Sequence, residues 1–126
     1  MKRKLYRNLL EEARGYGLTV IEKDFRSKAA GLCKGRTIGI SSSINSYEER
    51  AEILAEEMAH CLFTVGNILD TRNALNWLQE RIARFLAERR IKGEPFPIHL
   101  APPGSYGYYI HRQQMQKERM RAADEF

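Results

Sequence analysis

The sequence predicts an α+β fold in which one helix, three short strands and two long helices follow one another. Apolar residues recur at helical spacing near the start of the chain and again after residue 46. Between these stretches lie short runs rich in β-branched residues, divided by glycines that indicate turns. The chain has 126 residues, which is enough for one domain with a single core.

The composition is that of an ordinary globular protein, with 43% hydrophobic and 29% charged residues. No apolar run approaches the roughly 20 residues that span a bilayer. Charges interrupt the basic start of the chain before the apolar region of a signal peptide can form. We therefore expect a cytoplasmic protein that does not contact membranes. The net charge of +5 permits an acidic or nucleic-acid partner without requiring one.

The chain contains two cysteines, Cys33 and Cys61. They are too few for a disulfide framework and do not form a C-x-x-C pair, so we expect reduced thiols. Cys61 falls on the apolar face of a predicted helix, which favours a buried structural thiol over a metal ligand.

The first helix is predicted over "KRKLYRNLLEEARGYG" and ends at Gly15 and Gly17. A short β-branched run, "LTVIEKDF", then predicts a strand. The segment "AAGLCKGRTIGISSS" predicts two further strands around a turn near Gly35. The apolar stripe of the helix consists of Leu5, Leu9, Leu10 and Ala13.

The second helix is predicted from about Tyr47 to Val65, with Gly66 as its stop. Ser46 and Glu49 fit a capping box, in which each side chain satisfies a free backbone N–H of the first turn. The predicted core side of this helix consists of Leu54, Met58, Cys61, Leu62 and Val65.

The third helix is predicted over "TRNALNWLQERIARFLAERRI", with Asp70 as its N-cap. Its main apolar stripe consists of Leu75, Leu78, Ile82, Phe85 and Leu86. Glu80 lies on roughly the opposite side, and its helical neighbours there are Asn76, Ala83 and Ala87. Small residues beside a lone carboxylate would let another helix approach closely. The alternative, which the pattern alone favours, is that these small residues face solvent.

Residues 92–126 form a proline-rich C-terminal extension that contains all four prolines of the chain. We expect no regular element in its first half. The stretch "IHRQQMQKERMRAADEF" predicts at most a short polar helix and a peripheral arm. His99 and His111 lie in this extension and are expected at the surface. Its three tyrosines would pack on the body or form a partner surface; they are Tyr106, Tyr108 and Tyr109.

The chemically distinctive stretch is "LAEEMAHCLFTVGNILD", residues 54–70. Glu57 and His60 have the spacing of the last two chemical residues in the zinc-protease signature H-E-x-x-H, and Glu56 replaces its first histidine. Residues four apart on a helix project side by side, so Glu56 and His60 are candidate ligands of one metal ion. Glu57 lies about 100° round the helix, where a carboxylate can act as general base toward an attacking water. Without further support, a charged, solvated helix face explains the same pattern.

This stretch, together with "QERIARFLA", resembles the ImmA/IrrE metallopeptidase family, in particular members carried by prophages and mobile elements. The resemblance covers roughly residues 5–91 and includes the order of the elements before the helix. It implies a zincin-like fold: a small, mostly antiparallel sheet that packs on an active-site helix and a second long helix. The metallopeptidase domain would be residues 1–91. Carried over by position, Glu57 is the catalytic base, and the metal ligands are Glu56, His60 and Glu80.

The glutamate in place of the first histidine has chemical consequences. Zinc accepts carboxylate oxygen, so the three ligands still leave one open position. Two anionic ligands make the metal a poorer Lewis acid. Oxygen ligands also shift the preference from zinc toward manganese.

The resemblance implies a metal-dependent endopeptidase whose substrate is a helix-turn-helix repressor of the same prophage or mobile element. The alternative is a relative with weak or no hydrolysis that acts as a protein-binding antirepressor. Direct DNA binding is a weaker third hypothesis, because the sequence contains no helix-turn-helix pattern and no aromatic-plus-basic platform. Proteases of this fold bind substrate as an added strand, and "RTIGISSS" is the candidate edge strand. An interior strand is the equally open alternative.

Overall fold

The computed structural model describes residues 2–25, 29–65 and 74–124. Within these residues, four α-helices and three strands give an α+β fold. In chain order the elements are α1 (Lys2–Gly15), β1 (Thr19–Lys23), β2 (Gly31–Lys34), β3 (Thr37–Ser41), α2 (Tyr47–Phe63), α3 (Ala74–Ile91), a 3-10 turn (Ile98–Leu100) and α4 (Tyr106–Asp124).

Helix α1 and the turn that ends it follow the sequence prediction. Leu9 and Ala13 are fully buried, and Leu5 and Leu10 pack against the core at their side. Gly17 has a φ of 82°, a left-handed conformation that glycine adopts without steric cost. This conformation lets the N–H groups after the helix bond back to its last carbonyls and close the helix.

The sheet has the strand order β1-β3-β2, with β1 parallel and β2 antiparallel to β3. It is therefore a mixed sheet, and the prediction of a mostly antiparallel one is wrong. The β2–β3 hairpin turns at Gly35, whose φ is 61°, as the sequence indicates. Strand β3 is paired on both sides, so of the two alternatives that the sequence left open, the interior strand is confirmed and the edge strand is wrong. Its Ile38 and Ile40 are fully buried, which is what a central position requires.

Helix α2 is the centre of the core. The Ser46 side chain accepts a hydrogen bond from the Glu49 backbone N–H at 3.1 Å, which confirms the serine half of the predicted capping box. The helix ends at Phe63, two residues before the predicted end. Val65 instead pairs with the Gln79 side-chain amide through both its N–H and its carbonyl, which satisfies these groups without another helical turn. The predicted stop at Gly66 and the predicted cap at Asp70 lie outside the described residues.

Helix α3 packs on α2 through small residues. Ala83 and Ala87 are 1% and 5% exposed. By contrast, Leu78, Ile82 and Phe85 are 48%, 43% and 55% exposed. The prediction that small residues let the two helices approach closely is therefore confirmed. The alternative, that these alanines face solvent, is wrong. Most of the apolar stripe read from the sequence lies outside the core.

Cys33 on β2 and Cys61 on α2 form a disulfide bond, with their Cα atoms 6.0 Å apart. The prediction of two reduced thiols is wrong. The pairing follows from the packing of the β2–β3 hairpin on α2, which brings together two residues separated by 28 positions in sequence. Spacing rules apply to cysteines close in sequence and cannot detect such a pair.

The C-terminal extension divides into a packed part and an exposed part. Phe96, Ala101 and Gly107 are buried, and the Phe63 and Phe96 rings lie 6.1 Å apart. The Tyr106 hydroxyl donates a hydrogen bond of 2.6 Å to the Tyr16 carbonyl, which ties α4 to the turn after α1. Residues 112–124 are exposed, so the predicted peripheral arm is correct only for them. In the described part of the chain, no helix is long and apolar enough to cross a membrane.

Candidate metal centre

Two helices bring three potential metal ligands together. Glu56 and His60 lie one turn apart on α2, and Glu80 reaches them from α3. One ligand atom from each residue lies within 4.8 Å of the others. The Nε2 atom of His60 is 3.5 Å from an Oε2 of Glu80. The three residues selected by position in the sequence therefore form one cluster.

The small residues on α3 explain how Glu80 reaches the cluster. Ala83 and Ala87 follow it at i+3 and i+7 on the same face, and both are buried. Without long side chains at these positions the two helix axes can approach closely. A glutamate side chain is then long enough to span the gap to α2.

One side of the cluster is buried and the other is open to solvent. His60 is 6% exposed, whereas the side chains of Glu56 and Glu80 are 32% and 38% exposed. The Nδ1 atom of His60 is buried and has no hydrogen-bond partner among the described residues. Because Nε2 faces Glu80, that nitrogen is the one available to a ligand in the cluster.

Glu57 follows Glu56 on α2, and its side chain lies against the edge strand β2. Burial is the largest cause of its pKa being raised to about 7, and the nearby carboxylates of Glu56 and Glu80 raise it further. A carboxyl group with a pKa near neutrality can both accept and release a proton at physiological pH. Glu57 therefore has the properties of a general base and acid.

Gly31 on β2 makes room for this arrangement. A Cβ atom at that position would lie 2.7 Å from Ile53 Cγ2 and 3.0 Å from Glu57 Cγ. Only glycine lets the strand backbone approach α2 this closely. The edge strand next to the cluster is thus β2 and not β3.

Arg84 on α3 lies beside Glu56, and the sequence pattern did not single it out. Its Nε atom is 4.0 Å from Glu56 Oε1. The signal that identifies it is its position at i+4 from Glu80, on the same helix face. A cleft of about 460 Å³ between α2 and α3 opens beside this pair, lined by Glu52, Glu56, Arg84, Ala87, Glu88, Ile91 and Lys92.

The donor set suits a divalent cation. Two carboxylates and one imidazole are the ligand types that zinc and manganese accept. Ligands at about 2.0–2.2 Å from one ion lie at most about 4.4 Å apart, so the cluster needs only a small side-chain adjustment to close. The sequence candidates outside this set do not join it: Cys61 is in the disulfide, His99 is exposed and His111 is half-buried.

Comparisons with protein-family models, with curated proteins and with solved structures gave no match to this chain. No family is assigned. The metallopeptidase resemblance and the zincin-like classification therefore stay predictions, and the function is argued from the geometry of the cluster.

Proposed function

We propose that this protein is a metal-dependent endopeptidase with a zincin-like fold, similar to the ImmA/IrrE family. The observation that carries the proposal is the convergence of Glu56, His60 and Glu80 within 4.8 Å, next to a carboxyl group with a raised pKa. Perturbed pKa values occur preferentially at functional sites, which supports a functional cluster here.

Each residue has a defined role in the proposed reaction. Glu56, His60 and Glu80 would hold a zinc or manganese ion, which would supply a Lewis acid for the carbonyl of the scissile peptide. Glu57 takes a proton from the attacking water and then delivers it to the leaving amine. In the metal-free protein its pKa is raised to about 7, first by burial, and a bound cation would lower it by neutralising Glu56 and Glu80.

Substrate would bind along β2, the edge strand beside α2. In the described sheet β2 is paired with β3 on one side only, so the N–H and carbonyl groups of its other edge are free of strand partners. An extended peptide can pair with this edge and pass Gly31 next to Glu57. Strand β3, the edge candidate from the sequence, is paired on both sides and has no free edge for a peptide.

The resemblance names the substrate class as a helix-turn-helix repressor of a prophage or mobile element, located in the cytoplasm. In that compartment, thiol reductants would oppose the Cys33–Cys61 disulfide. Membrane association and nucleic-acid binding are not part of the proposal.

A second candidate function is an antirepressor that binds its target without cleaving it. Glu56 supports this candidate, because a second carboxylate ligand weakens the Lewis acidity of the metal. In this case the cluster would stabilise the binding surface rather than perform catalysis.

Metal analysis and a cleavage assay separate the two functions. Protein purified without chelators is analysed for bound zinc and manganese and then mixed with the repressor encoded beside it. An endopeptidase predicts stoichiometric metal, cleavage by the wild type and no cleavage by Glu57→Gln, whose metal content is unchanged. Glu88→Gln, an exposed change on α3, is the matched control and should cleave normally. Repressor binding without cleavage supports the antirepressor, and absence of metal rejects the endopeptidase.

A further inference from the structure

Arg84 lies beside the carboxylate that distinguishes this cluster from the H-E-x-x-H pattern. Its Nε atom is 4.0 Å from Glu56 Oε1, and its side chain is 70% exposed. Arg84 and Glu80 are one turn apart on α3, so both project toward α2. One helix thus presents to Glu56 both a second metal ligand and a permanent positive charge.

The cluster carries an excess of carboxylates. The ligand atoms of Glu56 and Glu80 lie within 4.8 Å of one another, and Glu57 is the next residue on α2. Among the described residues, the His60 imidazole lies beside Glu80, and the Arg84 guanidinium lies beside Glu56. In the metal-free protein the guanidinium therefore reduces the repulsion that Glu56 exerts on its neighbours.

We propose that Arg84 competes with the metal ion for Glu56. A divalent cation that binds Glu56 must share this carboxylate with the guanidinium and lie near a like charge. Arg84 therefore lowers the affinity of the site for metal. Its positive charge offsets the negative charge of Glu56, so the net charge around the metal position is close to that of a site with one carboxylate ligand. This inference rests on the proposed metal site and assigns Arg84 as a positioning residue that acts through Glu56.

An ordinary exposed ion pair is the alternative, and such pairs contribute little to stability. The two interpretations differ in what they predict at the metal. If Arg84 and Glu56 form only an exposed ion pair, removing Arg84 leaves the metal affinity unchanged. A competing pair couples the charge at position 84 to the ligand at position 56.

Calorimetric titration of the full chain with Mn²⁺ and with Zn²⁺ tests this coupling. At low salt, Arg84→Gln should bind Mn²⁺ at least about fivefold more tightly than the wild type, because two unit charges about 4 Å apart interact by about 1 kcal/mol in water and Mn²⁺ carries two charges. The gain should shrink at about 1 M salt, where the Debye length is near 3 Å. Arg84→Lys should keep the wild-type affinity within about twofold. Arg81→Gln, which removes an exposed arginine that lies over Trp77 on the same helix, is the control and should change nothing.

A double-mutant cycle shows whether Glu56 carries the effect. In a Glu56→His background, Arg84→Gln should change Mn²⁺ affinity less than twofold, because the shared carboxylate is gone. An unchanged or weaker affinity in Arg84→Gln, or an equal gain in both backgrounds, overturns the role of Arg84 while leaving the metal site intact. If the wild type and Arg84→Gln both bind no metal, the proposed function fails together with this inference.

Discussion

His60 Nε2 on α2 and Glu80 Oε2 on α3 lie 3.5 Å apart, although the two residues belong to different helices. The histidine is buried, and the glutamate reaches it over a helix face whose neighbouring side chains are alanines. Glu56 and His60 lie one turn apart on α2, and this contact adds Glu80 as a third potential ligand. The resulting cluster is open to solvent on one side.

Glu80→Gln should abolish stabilisation of the fold by metal. For the wild type, Mn²⁺ or Zn²⁺ at 100 times its dissociation constant should raise the free energy of unfolding by about 2.7 kcal/mol. The amide is a poor ligand, so the variant should show no such rise. Urea titrations with and without metal measure the difference. Glu88→Gln should behave as the wild type, and an equal response of both variants would exclude Glu80 as a ligand.

Ala83→Leu should separate α2 from α3. Ala83 is 1% exposed, so a larger side chain overpacks the interface and costs about 1–3 kcal/mol of unfolding free energy. The same displacement should weaken metal binding, because Glu80 is carried away from His60. Thermal unfolding and metal titration measure the two effects. Ala122→Leu, at the exposed end of α4, should leave both unchanged.

Glu57→Gln should stabilise the metal-free protein at neutral pH and above. The folded-state pKa of Glu57 is raised from 4.5 to about 7, so the folded state holds this proton more tightly than the unfolded state. Wild-type stability should therefore fall as the pH rises from 4.5 to about 7. Each pKa unit corresponds to about 1.4 kcal/mol, so the rise from 4.5 to about 7 gives the variant a gain of about 3 kcal/mol at pH 8.

Urea unfolding in the presence of a chelator, at about pH 4.5 and about pH 8, measures this gain. The two proteins should be nearly equal in stability at the lower pH. A constant difference between them at both pH values would show that the charge of Glu57 is not the cause.

Gly31→Ala should disturb the contact between β2 and α2. The added methyl would meet Ile53 Cγ2 at 2.7 Å and Glu57 Cγ at 3.0 Å, so the strand or these side chains must shift. We expect a loss of about 1–3 kcal/mol in unfolding free energy and a lower cleavage rate. Gly15→Ala is the matched control, since nothing lies within 4 Å of a Cβ atom there, and it should not destabilise the protein.

Reduction of the Cys33–Cys61 disulfide should lower the free energy of unfolding. The bond closes a loop with a sequence separation of 28, for which the chain-entropy relation gives about 3–4 kcal/mol. Urea titrations with and without a dithiol reductant measure the loss. The double variant Cys33→Ser/Cys61→Ser should unfold identically in both conditions, which separates the bond from other effects of the reductant.

The sequence predicted the features that depend on near neighbours in the chain. Ser46 caps α2 because its hydroxyl needs only the backbone N–H three residues later. Gly17 and Gly35 adopt positive φ values because turns at these points need a residue without a Cβ atom. Glu56 and His60 share one side of α2 because of the helical repeat alone.

Tertiary structure decided which surfaces meet. The apolar stripe of α3 predicted a buried face, yet the alanine face is the one that contacts α2, because it allows the closest approach of the two helices. The order of the strands made β2 the edge and β3 the centre, and the same packing joined Cys33 to Cys61. Arg84 gained its place next to Glu56 in the same way. Local patterns fix which side chains share a face, whereas contacts between distant segments depend on how all the faces fit together in one core.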